Sequence, residues 1–274
     1  LYLTVQWEPS EKMQLLREGP LEESTLTNSR DPVMRGLRRS ATLAGVPLPA
    51  GKITVNSTYP PGRGLGASGA GLIAGLLLGN RLTGNHLETP VLLHEAIALD
   101  GHPENVAASL LGGAHWSAPD GKNGWHHVPV ALHKDLRFLV VVPPYPLATS
   151  RAREVLPSTV SFSRAVNQAR RTPVLLEGLK RLSPELIKIG VEDDLHVASR
   201  LRLLTGAKSL LEFAEKSGAL GATLSGAGSA LLILTRTGSM QKLEAKLAQH
   251  VKRLWGKSGK ILDARVRLQG PSFS

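Results

Sequence analysis

Pro60-Pro61-Gly62-Arg63-Gly64-Leu65-Gly66-Ala67-Ser68-Gly69-Ala70-Gly71 is the stretch on which the reading of this chain turns. Residues 53–59 before it alternate apolar and polar side chains, as a half-buried strand does, and residues 67–78 after it form an apolar helical run. A strand that passes through glycines into a helix start presents free backbone N–H groups at the positive end of a helix, which suits an anion such as phosphate. The segment Gly64 to Gly69 also satisfies GxGxxG, with Glu88 near the offset of a ribose-binding acid. The preceding strand is half polar, however, and no apolar strand ends at Glu88, so the dinucleotide-binding unit lacks its context. A Walker A loop fails because no Gly-Lys-Ser/Thr follows. The plain alternative is a glycine turn without a ligand.

Working outward, residues 1–8 alternate like a strand, and residues 32–44 read as a helix ended by Gly45, Pro47 and Pro49. Residues 90–99 form a further helix, residues 101–105 a polar segment, and residues 106–111 an apolar helix closed by Gly112 and Gly113. A buried-strand pattern over 137–142 is stopped by Pro143 and Pro144. The later half reads as helices with strands at 221–224, 230–234 and 261–268. Helices mixed with largely non-adjacent strands indicate an α+β architecture, with domains expected at residues 1–135 and 136–274.

The chain has 274 residues, 42% hydrophobic and 20% charged, which excludes wholesale disorder and fibrous repeats. It has no Cys, which excludes disulfide frameworks, cysteine zinc sites and thiol catalysis, and points to a reducing cytoplasm. No apolar run approaches the roughly 18 residues that span a bilayer, so no membrane partner is expected. The net charge of +11 raises nucleic acid as a partner. Residues 1–133 carry 10 Lys+Arg against 11 Asp+Glu, and residues 134–274 carry 23 against 11, so the excess belongs to the second half. Much of it flanks an amphipathic helix over 239–255, where Met240, Leu243, Leu247, Val251 and Leu254 recur at helical spacing. Apart from Trp255 that stretch offers no aromatic residues for base stacking, which argues for an ordinary amphipathic helix and against a nucleic-acid partner. A basic RNA- or polyanion-binding protein is the competing function of a different class.

Three further constellations could carry chemistry. Asp100, His102, Glu104 and Asn105 lie in a loop before a helix, where polar side chains can converge on a ligand or simply cap the helix. Thr149, Arg151 and Arg153 stand at a loop-to-helix junction, followed later by Arg200 and Arg202; the planar arginine fork suits carboxylate or phosphate, and solvent-facing arginine is the bland alternative. Residues 221–230 form a second Gly/Ser turn, a hairpin on its simplest reading. Nine His prompt a metal check, but no HExxH or other zinc spacing occurs, and no GxSxG elbow either.

Taken together and in this order, the motifs are far more specific than any one of them. The chain resembles the GHMP small-molecule kinases and, within them, the homoserine kinase family. Residues 60–70 resemble the family's P-x-G-x-G-L-G-S-S-A loop, with Ala67 and Gly69 as departures and Ser68 retained. Residues 100–105 resemble the segment E-G-H-P-D-N-V, with Asp100 and Glu104 as conservative changes, residues 149–157 resemble S-T-x-E-A-R-x-x-L-P, and residues 195–204 resemble H-x-x-x-R-x-x-L. Residues 221–230 resemble G-x-x-x-S-G-S-G-P-x, with Ala227 and Ser229 as departures. The family opens with P-x-S-S-A-N-L-G-x-G-F-D, part of its substrate pocket, and residues 1–5 look like the strand that follows it. The resemblance therefore implies that such a segment belongs before Leu1.

What the resemblance implies is a two-domain GHMP fold, with an ATP loop between strand and helix in the first domain and a ferredoxin-like α/β sandwich in the second. It implies phosphorylation of the L-homoserine hydroxyl by ATP with Mg²⁺, a step towards threonine, in a cytoplasmic homodimer. Pro60, Pro61, Gly62, Arg63, Gly64, Leu65, Gly66, Ala67, Ser68, Gly69 and Ala70 would hold ATP. Asn105, His102 and Arg153 would be catalytic, and Asn105, Thr149, Arg153, Arg200 and Gly226 would bind the amino acid. Ser68 with Glu95, or Asp100 as second choice, would hold Mg²⁺. Another small alcohol as acceptor is the nearest alternative.

Overall fold

The computed structural model describes residues 1–22, 24, 26–122 and 124–273. They form two compact units: Leu1–Pro61, Gly66–Pro129 and Val266–Ser274 in the first, Gly62–Leu65 and Val130–Arg265 in the second. Among the described residues no helix is long and apolar enough to cross a membrane.

In the first unit, β1 (Leu3–Pro9), β2 (Gln14–Glu18) and β3 (Gly51–Ser57) make a three-stranded sheet in the order β1-β3-β2, with β1 antiparallel and β2 parallel to β3. The strand expected at 53–59 thus starts and ends two residues earlier. Helix α1 (Pro32–Ala44) has the expected bounds. Asp31 Oδ1 accepts the N–H groups of Val33 at 2.9 Å and Met34 at 3.3 Å, Pro32 sets the first turn, and Gly45 leaves it in the left-handed conformation. Helix α2 (Ala67–Leu82) runs a turn beyond the expected 67–78. Its glycines explain why: a β-carbon on Gly75 would lie 2.0 Å from the Val33 carbonyl oxygen. Backbone of α1 and α2 therefore touches directly, and glycine inside this helix serves packing rather than termination.

Helices α3 (Thr89–Asp100) and α4 (Glu104–Leu111) follow, then a hairpin of β4 (His115–Pro119) and β5 (Trp125–Pro129). Ile73, Leu76, Leu92, Ala96 and Val106 form a core under α2, α3 and α4, and Val33, Leu37, Ile53 and Val55 seal α1 onto the sheet.

The second unit contains β6 (Leu136–Val142), α5 (Thr149–Glu154), α6 (Phe162–Arg181), α7 (Pro184–Gly190), α8 (Val197–Leu201), α9 (Ala207–Lys216), β7 (Gly221–Leu224), β8 (Leu231–Arg236), α10 (Met240–Trp255) and β9 (Lys260–Ala264). Its sheet order is β7-β8-β6-β9 with every neighbouring pair antiparallel, so helices connect β6 to β7 and β8 to β9 around a β7–β8 hairpin. That is the split βαβ arrangement of ferredoxin-like sandwiches, as expected. Leu139, Val141, Leu210, Ile233, Leu247 and Val251 fill its core. The strand expected to reach residue 268 stops at Ala264, because from Val266 the chain joins the first unit, where Gly113 donates its N–H to the Arg267 carbonyl at 2.7 Å.

Candidate active site

Gly62–Leu65 of the glycine segment belong to the second unit. Gly62, Gly64 and Gly66 all have positive φ, 68°, 72° and 74°, so the chain turns at every second residue in a conformation that L side chains avoid. The Gly62 carbonyl accepts the Leu147 N–H at 3.1 Å, and the Arg63 carbonyl accepts the Ala230 N–H at 2.9 Å. The Gly64 carbonyl accepts the Ser225 hydroxyl at 2.9 Å. A β-carbon on Gly64 would stand 2.1 Å from the Ser225 carbonyl oxygen. The 225–229 turn is therefore a platform for Gly62–Leu65, more than the hairpin of its simplest reading. Arg63 donates to the Pro144 carbonyl at 3.4 Å.

The second half opens α2 in the first unit. Gly66 is the residue before the helix and no side chain caps it, so the first-turn N–H groups keep their donors for a ligand. Ser68 stands in this turn, exposed, with its hydroxyl donating to Asp100 Oδ1 at 3.3 Å. The side chain of Asp100, the last residue of α3, is only 6% exposed, and its Oδ2 lies 3.0 Å from His102 Nδ1. Neither of those two atoms has a hydrogen-bond partner, so they lie close together without hydrogen-bond alignment. Asn105, in the first turn of α4, packs against the same helix start: β-carbons on Gly66 and Gly69 would lie 3.2 Å from Asn105 Oδ1 and 2.8 Å from Asn105 Cβ. Gly66, Ala67, Ser68, Gly69 and Ala70 are thus joined by Asp100, His102 and Asn105.

Glu95 is placed differently. Its Oε2 accepts from Arg39 Nε at 2.6 Å, and this hydrogen bond, with the carboxylate's charge, raises the Arg39 pKa above its ordinary value. Arg35, a turn earlier on α1, donates to the Leu99 carbonyl at 2.8 Å, next to Asp100. Glu95 and Arg35 therefore fasten α3 to α1. The Ser68–Asp100 pair, with one buried carboxylate oxygen unpartnered, fits Mg²⁺, which binds through one or two protein oxygens while keeping phosphate and water as its other ligands. Among the described residues no group of three or more His, Asp or Glu could hold a metal ion.

In the second unit, Arg200 on α8 donates from Nε to the Ala152 carbonyl and from Nη1 to the Gly226 carbonyl, both at 3.2 Å. Burial lowers the Arg200 pKa, and the charge of Arg153 lowers it further while Asp193 opposes both. Arg153 and Arg200 thus lie in each other's field, an arrangement that favours an anion. Thr149 heads α5, exposed, one turn before Arg153. Asp193 stands outside every motif of the sequence, yet it is closely engaged. Its Oδ1 accepts the N–H groups of Leu195, His196 and Val197 at 3.0, 2.5 and 2.8 Å, and its Oδ2 is 2.9 Å from His196 Nδ1. An Asp just before a short helix is the signal that could have found it.

Residues 31–113 match the family of GHMP kinases N terminal domains, and residues 162–253 that of GHMP kinases C terminal domains. A homoserine kinase of Deinococcus radiodurans is 33% identical over 98% of this chain and 88% of its own length. One of Prochlorococcus marinus (strain MIT 9312) is 37% identical over 75% of this chain, and the match spans 64% of that relative. The chain belongs to the homoserine kinase family of the GHMP kinases. The crystal structure of homoserine kinase from Cytophaga hutchinsonii, 25% identical, superposes with a TM-score of 0.79 over 98% of this chain and 87% of that one. The matched ranges take in the glycine segment, Asp100, His102, Asn105, Arg200 and Gly226, whereas Thr149 and Arg153 fall between them.

Proposed function

We propose that the protein transfers the γ-phosphoryl group of ATP to the side-chain hydroxyl of L-homoserine. The hydroxyl oxygen forms the new P–O bond, the bond from the γ-phosphorus to the β,γ-bridging oxygen breaks, ADP leaves, and the hydroxyl proton is released. The observation that carries this reading is the convergence of Ser68, Asp100, His102 and Asn105 on the uncapped start of α2.

In this reading the N–H groups at the start of α2 and the backbone of Gly62–Leu65 bind the phosphates. Ser68 and Asp100 hold Mg²⁺, with Glu95 serving α3 instead, and the ion neutralises charge on the transferring group. Asn105 and His102 orient the acceptor hydroxyl. Arg153 and Arg200 grip the amino-acid carboxylate, with Thr149 and the Gly226 backbone beside them in the binding role. No dedicated base is assigned, because a loose phosphoryl-transfer transition state rests mainly on positioning and charge stabilisation. A cytoplasmic homodimer is the assembly the family resemblance suggests. The test is ADP release coupled to NADH oxidation with L-homoserine as acceptor: robust turnover that Asn105→Ala abolishes supports the reading, and near-normal turnover in Asn105→Ala counts against it.

A further inference from the structure

Asp193 belongs to none of the motifs given a role above, yet it is the most heavily engaged carboxylate of the second unit. Burial opposes its ionisation, but the His196 side chain and the N–H groups of Val197 and His196 outweigh that and hold its pKa far below the usual carboxylate range. The segment around it is pinned from both sides by one face of α6. Arg171 pairs with Glu192 at 2.9 Å and with Asp194, Arg164 donates to the Asp194 carbonyl, and Gln168 Oε1 accepts the Asp194 N–H at 2.9 Å. Positions 164, 168 and 171 follow helical i, i+4, i+7 spacing, so three side chains of a rigid helix fix the residues flanking Asp193. Asp193 Oδ1 then accepts the N–H of Val197, the first residue of α8, and those of the two residues before it, so it holds the entry to a five-residue helix that could not hold itself in water, and Arg200 is the fourth residue of that helix. The Arg200 N–H is itself part of this turn, bonded to the His196 carbonyl at 3.1 Å.

From this chain of attachments we infer that Asp193 is a positioning residue for Arg200: it fixes α8 and supplies the countercharge that keeps two like-charged guanidinium groups, Arg153 and Arg200, in place for the incoming carboxylate. The inference rests on the reading of Arg200 as a carboxylate ligand. Two backbone carbonyls aim the Arg200 guanidinium, but neither carries a full charge, and Asp193 is the acid whose field reaches it. Asp193 touches no reacting atom in this account; it acts through Arg200.

The experiment is steady-state kinetics of Asp193→Asn and Arg200→Leu in the full chain, with L-homoserine and ATP varied separately. Asparagine still caps a helix but carries no charge. Asp193→Asn is expected to raise the homoserine KM about fivefold or more, with kcat and the ATP KM within about twofold of the parent. Should it not fold, Asp193→Ser, which also caps without charge, is read the same way. If Asp193 is only a cap, Asp193→Asn restores every constant to the parent value, and the inference is overturned. Arg200→Leu separates the two levels: an unchanged homoserine KM there sinks the reading of Arg200 and the inference with it. A raised KM there beside a normal Asp193→Asn sinks the inference alone. In the double variant the effect of Asp193→Asn should vanish, and full additivity would contradict action through Arg200.

Discussion

Replacing Gly64 and Gly62 separately by Ala distinguishes backbone conformation from close approach in the glycine segment. Both have positive φ, 72° and 68°, so each alanine incurs left-handed strain of about 1–2 kcal/mol. They differ in their surroundings. A β-carbon on Gly62 meets nothing nearer than Pro146 Cβ at 3.7 Å, whereas one on Gly64 meets the Ser225 carbonyl oxygen at 2.1 Å and Gly228 N and O at 2.8 Å. Those neighbours are backbone, so in Gly64→Ala the loop itself must lift. Its anchors are the Leu147 N–H to Gly62 carbonyl, Ala230 N–H to Arg63 carbonyl and Ser225 hydroxyl to Gly64 carbonyl bonds. Loss of two of these, at a net value near 1 kcal/mol each, brings the total to about 3–4 kcal/mol. Scanning calorimetry should show Tm lowered by about 4 °C for Gly62→Ala and about 10 °C for Gly64→Ala. The ATP KM should rise in Gly64→Ala by about tenfold, because the backbone proposed to bind phosphate has moved. Equal Tm losses in the two variants, or an unaltered ATP KM in a destabilised Gly64→Ala, would refute the reasoning.

Other substitutions test the remaining parts. Arg153→Leu should raise the homoserine KM by about tenfold or more with little change in that for ATP, since the proposed charged hydrogen bond to the carboxylate would be lost; equal effects on both substrates remove Arg153 from the carboxylate role. Asp100→Asn should raise the Mg²⁺ concentration for half-maximal activity about tenfold or more, while Glu95→Gln leaves it near the parent value, and the reverse order would return the metal role to Glu95. Gly75→Ala, whose β-carbon would meet the Val33 carbonyl oxygen at 2.0 Å, should destabilise by about 1–3 kcal/mol despite alanine's better helix propensity, measured as a fall in the calorimetric Tm.

Local chemistry was readable from sequence, and pairing between distant segments was not. Helix α1 could be bounded because Asp31, Pro32 and Gly45 are cap and stop signals acting within a few residues of one another. The glycine segment was legible for the same reason. Gly79, by contrast, looks like a stop, yet it continues α2 because a β-carbon there would meet Leu37 and Ser40 of α1, a packing requirement that lies 39 to 42 residues upstream. Strand β2 is a short QLLRE stretch that owes its form to parallel pairing with β3, which leaves no turn signal beside it. The β4–β5 hairpin is rich in His, Trp and Pro, so its period-2 pattern was hidden by residues that invite other readings. At the site, the choice between Glu95 and Asp100 depends on which carboxylate faces Ser68 and which faces Arg39, and that is fixed by the rotation of α3 against α1 and α2. Asp193 depends on three side chains of α6, 22 to 29 residues earlier, which no local pattern marks.

The most direct test of the proposed activity is phosphorus NMR of a reaction containing the protein, ATP, Mg²⁺ and L-homoserine, run beside acceptors that keep the primary hydroxyl but lack the amino-acid carboxylate. A phosphomonoester signal matching authentic O-phospho-L-homoserine should form in step with ADP, with little product from the acceptors without a carboxylate. Absence of that ester, or faster phosphorylation of an alcohol without a carboxylate, would contradict the proposed activity.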